Sequence, residues 1–134
     1  RLVLQQIHEF SGRGVDFAFE TTLSGTPYAR TFTELKKKGY AVHLFFLFIP
    51  SPELAIQRIK DRVREGGHNV PAEDVRRRFF RGINNFFKVY EPLLDSWMMF
   101  DNSRTRHALI AKRKNGHKEV IDHELFDTVH KFLR

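Results

Sequence analysis

The 134-residue chain carries 23 Lys and Arg against 16 Asp and Glu, a formal net charge of +7, and its 41% hydrophobic content includes 14 Phe, enough for one packed domain and against a disordered chain. Cysteine is absent, which excludes disulfides, thiolate metal sites and thiol nucleophiles. The longest apolar stretch, Leu44 to Pro50, is far short of the ~20 residues of a membrane helix, and no basic-then-apolar leader opens the chain, so a cytoplasmic location is compatible with the composition.

Val3, Ile7 and Phe10 stand at helical spacing and Gly12 and Gly14 end the pattern, so a helix opens the chain. That pattern starts at Arg1 without an initiator methionine, and a segment upstream is expected on this ground. Val15 to Phe19 reads as a short buried strand with the Glu20 carboxylate at its C-terminal end. Pro27 opens a second helix that Gly39 ends. Val42 to Ile49 is almost continuously apolar, as a strand covered on both faces is, with His43 a core histidine within it. Strand, helix and strand in this order predict an α/β fold with a parallel sheet.

Ser51-Pro52 starts a helix with Ala55, Ile56, Ile59 and Val63 on one arc, ended by Gly66-Gly67. Pro71 and the acidic pair Glu73-Asp74 start another, in which Val75, Phe79, Ile83, Phe86 and Tyr90 recur at helical spacing until Pro92. Trp97 to Phe100 reads as a strand. Residues 109–112 and 119–121 form a hairpin about Asn115-Gly116, and Leu125, Val129 and Phe132 a closing helix.

In open α/β sheets ligands bind beyond the carboxyl ends of the strands, which brings Glu20, Thr21 and Thr22 to one rim with Asp101, Asn102 and Ser103. Glu20 can accept from sugar or alcohol hydroxyls, and the threonine hydroxyls either donate to a substrate oxygen or satisfy backbone groups of the turn. Arg58, Arg62 and Arg64 precede Gly66-Gly67, and Arg76, Arg77, Arg78 and Arg81 follow it. Planar guanidinium groups bind phosphate oxygens bidentately, so a glycine-hinged loop between them can close over phosphates. The alternative is ordinary surface charge paired with Asp61, Glu65, Glu73 or Asp74. Helical geometry sets Arg77 and Arg81 opposite Phe79 and Ile83, with Arg76 near the edge of the apolar arc. His68 lacks a second ligand at metal-binding spacing and reads as a loop or hinge residue; no metal site is expected.

With Phe-Ala-Phe-Glu-Thr-Thr-Leu-Ser-Gly at 17–25, Ser-Pro-Glu-Leu-Ala at 51–55, Gly-Gly-His-Asn-Val-Pro at 66–71, Arg-Arg-Arg-Phe at 76–79 and Asp-Asn-Ser at 101–103, the chain resembles the zeta-toxin-like P-loop kinases over nearly its whole length. The resemblance implies a three-layer P-loop kinase-like parallel sheet, incomplete here, with a helical arginine-rich lid at about 62–78 and a C-terminal β-hairpin. It implies that residues 1–134 are the C-terminal part of a single kinase domain. The activity implied is phosphoryl transfer from ATP, with Mg²⁺, to a hydroxyl of a small molecule or sugar nucleotide. Glu20 and Thr22 are implied to hold the acceptor, with Thr21 between them where the characterised toxins carry glycine. Arg62 resembles the arginine that enters the lid and stacks on adenine, Arg77 or Arg78 the return arginine on the phosphates, and Asn102 the strand-end residue near adenine.

Two family parts, the Gly-rich phosphate loop ending in Lys-Ser or Lys-Thr and the Asp that acts as base, are not in these residues; the resemblance puts both before residue 1. These 134 residues alone are therefore expected to be inactive, with unpaired strand edges and a tendency to self-associate. An antitoxin protein is the candidate partner, and neither membrane nor nucleic acid is expected. The rival readings are a non-enzymatic module binding anions or nucleic acid, favoured by the +7 charge, and a degenerate kinase used for protein interaction.

Overall fold

The computed structural model describes residues 2–134; Arg1 lies outside them. Helix α1 (Leu2–Arg13) buries Ile7, and Gly14 ends it with φ +69°. Helix α2 (Pro27–Lys37) starts at its proline, buries Phe32 and Leu35, and stops where Gly39 takes φ +93°. There the amides of Gly39 and Tyr40 fold back onto the carbonyls of Lys36 and Leu35, satisfying the helix end.

The strand expected at Val15 to Phe19 does not form. Residues 15–24 form neither helix nor strand, because no described strand lies beside them to take their backbone groups. The alternation survives in the side chains. Phe17 packs on Phe10 and Tyr40 at 5.7 Å each and Phe19 on Tyr28 at 5.1 Å, and the Tyr40 hydroxyl donates to the Val15 carbonyl at 2.7 Å. Aromatic contacts hold in place what a neighbouring strand would otherwise hold.

One sheet runs in the order β1 (His43–Phe48), β2 (Ser96–Asp101), β3 (Ala108–Lys114) and β4 (His117–Val120). β1 and β2 are parallel, and the C-terminal hairpin adds two antiparallel strands. Its turn is the expected Asn115-Gly116, with φ +54° and +74°, the left-handed pair that matches the twist of a hairpin. The mixed α/β architecture with an open sheet is that of an incomplete P-loop-like fold.

β1 is covered on one face only, which corrects the expectation of a doubly buried strand. Leu44, Phe46 and Phe48 turn inward, while His43, Phe45 and Leu47 turn outward. His43 is thus exposed rather than a core residue, and it shares a 2.6 Å hydrogen bond with the Ser96 hydroxyl on β2. Helix α3 (Pro52–Arg64) is capped by Ser51, whose hydroxyl accepts from the Leu54 amide at 3.2 Å. Helix α4 (Ala72–Asn85) continues through a π-helical turn, Phe86–Tyr90, and a 3-10 turn, Glu91–Leu93, before β2. Phe86 and Tyr90 are both fully buried. The Phe86 ring lies 5.2 Å from Phe46 and 5.2 Å from Trp97, so this turn locks α4 onto the covered sheet face. Helix α5 (His123–Lys131), capped by the Asp122 carboxylate on the Leu125 amide, closes the core through Phe126 and Val129.

Candidate functional site

The loop of residues 20–25 is shaped by its own hydroxyls. Thr21 Oγ1 accepts from the Leu23 amide at 3.2 Å, and Thr22 Oγ1 accepts from the Ser24 amide and shares a 2.8 Å hydrogen bond with the Ser24 hydroxyl. Leu23 adopts φ +57° and is buried, which anchors the loop from below. Glu20 stands exposed at its start.

Helix α4 holds this loop from the side. Asn85 Nδ2 donates to the Leu23 carbonyl at 2.6 Å and approaches the Gly25 carbonyl at 3.4 Å, and the Tyr90 hydroxyl donates to Gly25 at 2.6 Å. Burial raises the Tyr90 pKa, so the phenol stays a donor. At Gly82 the helix comes so close that a Cβ there would lie 2.9 Å from the Thr22 carbonyl oxygen. Sequence reasoning took Tyr90 only as a core residue and passed over Gly82 and Asn85. The available signal was the lone glycine inside a helical pattern, a mark of close backbone approach.

The arginines divide between two sides of α4. A cleft of about 190 Å³ at the C-terminal end of β1 is lined by Thr22 from the loop, Phe48 and Ile49 from the strand end, and Val75, Arg78 and Gly82 from α4. Arg78 and Thr22 are thereby brought together. Arg77 is not in that cleft: its guanidinium pairs with Asp74 at 2.9 Å and lines a separate groove with Arg81. Arg76 approaches Glu53 at 4.0 Å. Among the described residues, Arg62, Arg78 and Arg81 have no carboxylate within 4.0 Å.

Arg62 lies exposed near the end of α3. Its carbonyl receives the Gly67 amide at 2.7 Å, and a Cβ on Gly67 would come within 3.0 Å of that same oxygen. Gly66, at φ +93°, makes the turn into the exposed 67–69 segment that carries His68. Asn102 extends the sheet, its amide donating to the Phe48 carbonyl at 2.7 Å. The second polar cluster therefore abuts the same end of β1 that Thr22 and Arg78 flank. Asp101 beside it is the one buried charged residue among the described residues, and its carboxylate accepts from the Ser103 amide at 2.9 Å.

Free guanidinium groups at Arg62 and Arg78 suit phosphate oxygens. Among the described residues no group of three or more His, Asp or Glu is arranged to hold a metal ion, and no helix is long and apolar enough to cross a membrane.

Comparison with known proteins adds to this geometry. The chain is 35% identical over 65 residues to an uncharacterized protein of Haemophilus influenzae, an alignment covering 48% of this chain and 46% of that protein. It thus spans about half the length of the curated relative it matches. No solved structure matches it. The family model described as Zeta toxin matches residues 1–121, nearly the whole of the elements above, and the chain belongs to the zeta toxin family.

Proposed function

We propose that these residues form the acceptor grip and phosphate lid of an ATP-dependent kinase that phosphorylates a hydroxyl on a small molecule or sugar nucleotide. Membership of the zeta toxin family supports a P-loop kinase-like function. The observation that carries the finer reading is the cleft that Arg78 and Thr22 both line at the C-terminal end of a parallel strand, where α/β enzymes bind their ligands.

In this reading Glu20 and Thr22 orient the acceptor hydroxyl, and Thr21 shapes the loop that carries them. Arg78, rather than Arg77, is the return arginine, because Arg77 is turned away and neutralised by Asp74. Arg62 and Arg78 bind phosphate oxygens as the segment between α3 and α4 closes about its Gly66-Gly67 hinge, and Asn102 borders the nucleotide. ATP with Mg²⁺ supplies the transferred phosphoryl group. The Gly-rich loop and the acceptor base are no part of these 134 residues, so activity is assigned to the full-length protein. An ATP-consuming enzyme of this kind works in the cytoplasm, and an antitoxin that blocks the cleft is the partner the family suggests.

The test is ATP consumption by full-length protein against a panel of hydroxyl-bearing nucleotide sugars and small metabolites, with Arg78→Ala and Arg77→Ala side by side. Loss of a single well-placed phosphate contact costs on the order of 10² to 10³ in rate. We expect that loss for Arg78→Ala and a change within threefold for Arg77→Ala. Equal effects of the two variants, or no acceptor-dependent ATP consumption, would refute the reading.

A further inference from the structure

A second concavity on the molecule is larger than the cleft. It is an open groove of about 610 Å³ along the opposite face of α4, and it shares no lining residue with the cleft. Five cationic side chains, Arg76, Arg77, Arg81, Lys88 and Arg134, line it against a single carboxylate, Glu73. We propose that this groove is a second anion site, built for a ligand carrying two or more linked phosphate groups.

Unspent charge is the first argument. Arg77 pairs with Asp74 and Arg76 lies 4.0 Å from Glu53, but Arg81 has no side-chain carboxylate within 4.0 Å among the described residues, and Lys88 meets only the Arg134 backbone oxygen. The two stand seven residues apart on one wall of the groove, Arg81 on α4 and Lys88 on the π-helical turn that continues it, on the order of 10 Å. Cations held side by side without counter-charges repel one another, and a bound anion relieves that cost.

The second argument is that the opposite wall is fixed in advance. The Arg134 guanidinium carbon lies over the Phe80 ring, 3.8 Å from its centroid. Its backbone is pinned as well. The Arg134 amide donates to Asn84 Oδ1 at 2.9 Å, Asn84 Nδ2 donates to the Phe80 carbonyl at 2.8 Å, and Lys88 Nζ donates to the Arg134 carbonyl. A stacked, tethered guanidinium loses little freedom when it takes a ligand, which distinguishes it from a surface arginine that must first be ordered.

Size and spread choose the ligand. The volume falls in the range of small-molecule sites, about 300 to 1,000 Å³, and exceeds what one phosphate fills. A lone phosphate reaches one end of a stripe about 10 Å long, whereas two or three linked phosphates bridge Arg81, Lys88 and Arg134 together. A free nucleotide and inorganic polyphosphate share this chemistry.

The experiment is calorimetric titration of full-length protein with inorganic tripolyphosphate, ADP and orthophosphate in EDTA, which removes Mg²⁺-dependent binding from the count. Arg81→Ala with Lys88→Ala is compared with Arg78→Ala, and Arg81→Gln alone serves as the variant that removes no ion pair among the described residues. Tripolyphosphate should bind saturably and at least tenfold more tightly than orthophosphate. The double variant should weaken it at least tenfold and Arg81→Gln at least threefold, and both losses should exceed that of Arg78→Ala. ADP binding tighter than tripolyphosphate identifies a nucleotide as the source; the reverse identifies polyphosphate. Tripolyphosphate binding that survives in both groove variants, or is lost in Arg78→Ala instead, overturns the proposal. So does a groove that takes single-stranded oligonucleotides with steep salt dependence and ignores tripolyphosphate.

Discussion

Gly82 lies directly beneath the Thr22 carbonyl, so close that any side chain at 82 would strike that oxygen at 2.9 Å. The loop proposed to hold the acceptor is therefore seated on the same helix that carries Arg78, and motion of that helix moves the acceptor grip and the phosphate contact together. The obstacle is backbone, which cannot swing aside as a flexible side chain does. Alanine at 82 should gain up to about 1 kcal/mol of helix propensity and lose roughly 1 to 3 kcal/mol to overpacking. We expect Gly82→Ala to lower the melting temperature modestly and acceptor-dependent activity severely. A melting curve and a steady-state assay on one preparation check it; unchanged activity at lowered stability would separate Gly82 from the site.

Two hydrogen bonds from α4 and its π-helical turn tie down the same loop. Tyr90→Phe removes the 2.6 Å bond to the Gly25 carbonyl while keeping the buried ring, and Asn85→Ala removes the 2.6 Å bond to the Leu23 carbonyl. Each should cost about 1 kcal/mol, the net worth of a neutral hydrogen bond, with more for Asn85 because the Leu23 carbonyl is then left short of a partner. Amide exchange at residues 23–25 should quicken in both variants and remain unchanged in β3. Protection equal to wild type would mean that the threonine hydroxyls alone hold the loop.

The contrast between these residues and the helices shows what a sequence carries. Val75, Phe79 and Ile83 repeat at helical spacing because burial is periodic, and α4 is where that period puts it. The Asn115-Gly116 turn was legible because few residues tolerate its two positive φ angles. The failures are of another kind. Val15 to Phe19 has a strand's alternation, but a strand exists only with a neighbour, and pairing is not written in its own residues. β1 reads as doubly buried because Phe45 and Leu47 are apolar, yet both face outward. Of the site, the separation of Arg78 from Arg77 turns on one helical step and on Asp74, which selects Arg77 from three adjacent arginines.

Asp95 ties the entry of β2 to the entry of β1 and gives the fold an acid-sensitive element. Its Oδ2 accepts from the Val42 amide at 2.7 Å, and that hydrogen bond lowers its pKa most; burial opposes, and Lys36, 3.5 Å from Oδ1, adds to the lowering. The side chain is 39% exposed, so the ion pair is screened and the amide contact dominates. A pKa depressed on folding contributes stability that is fully present above the unfolded value of about 4 and is lost as pH falls through the folded value. Asp95→Asn should therefore be less stable than wild type at neutral pH, with the gap closing in acid. Parallel urea unfolding of the two proteins across that range is the check, and a gap independent of pH would assign the effect to packing.

The open face of β1 makes the last prediction. Phe45 is 69% exposed and Leu47 48% exposed, side by side on a strand that stands at the edge of the sheet. The Phe45 ring meets that of Phe100 edge to face, with 6.3 Å between centroids. An edge strand that offers unpaired backbone groups beside a solvent-facing apolar pair is a template for another strand, and proteins commonly guard such edges with lysine. The 134-residue chain by itself should self-associate as concentration rises, and Phe45→Lys should suppress this with little change in stability, since the ring it removes is mostly in water. Sedimentation velocity over a concentration series distinguishes the outcomes. If the chain stays monomeric throughout, the β1 edge is guarded by its twist or its neighbours; if Phe45→Lys associates as strongly as wild type, the contact lies elsewhere, and the basic faces of α4 would be the next place to probe with salt.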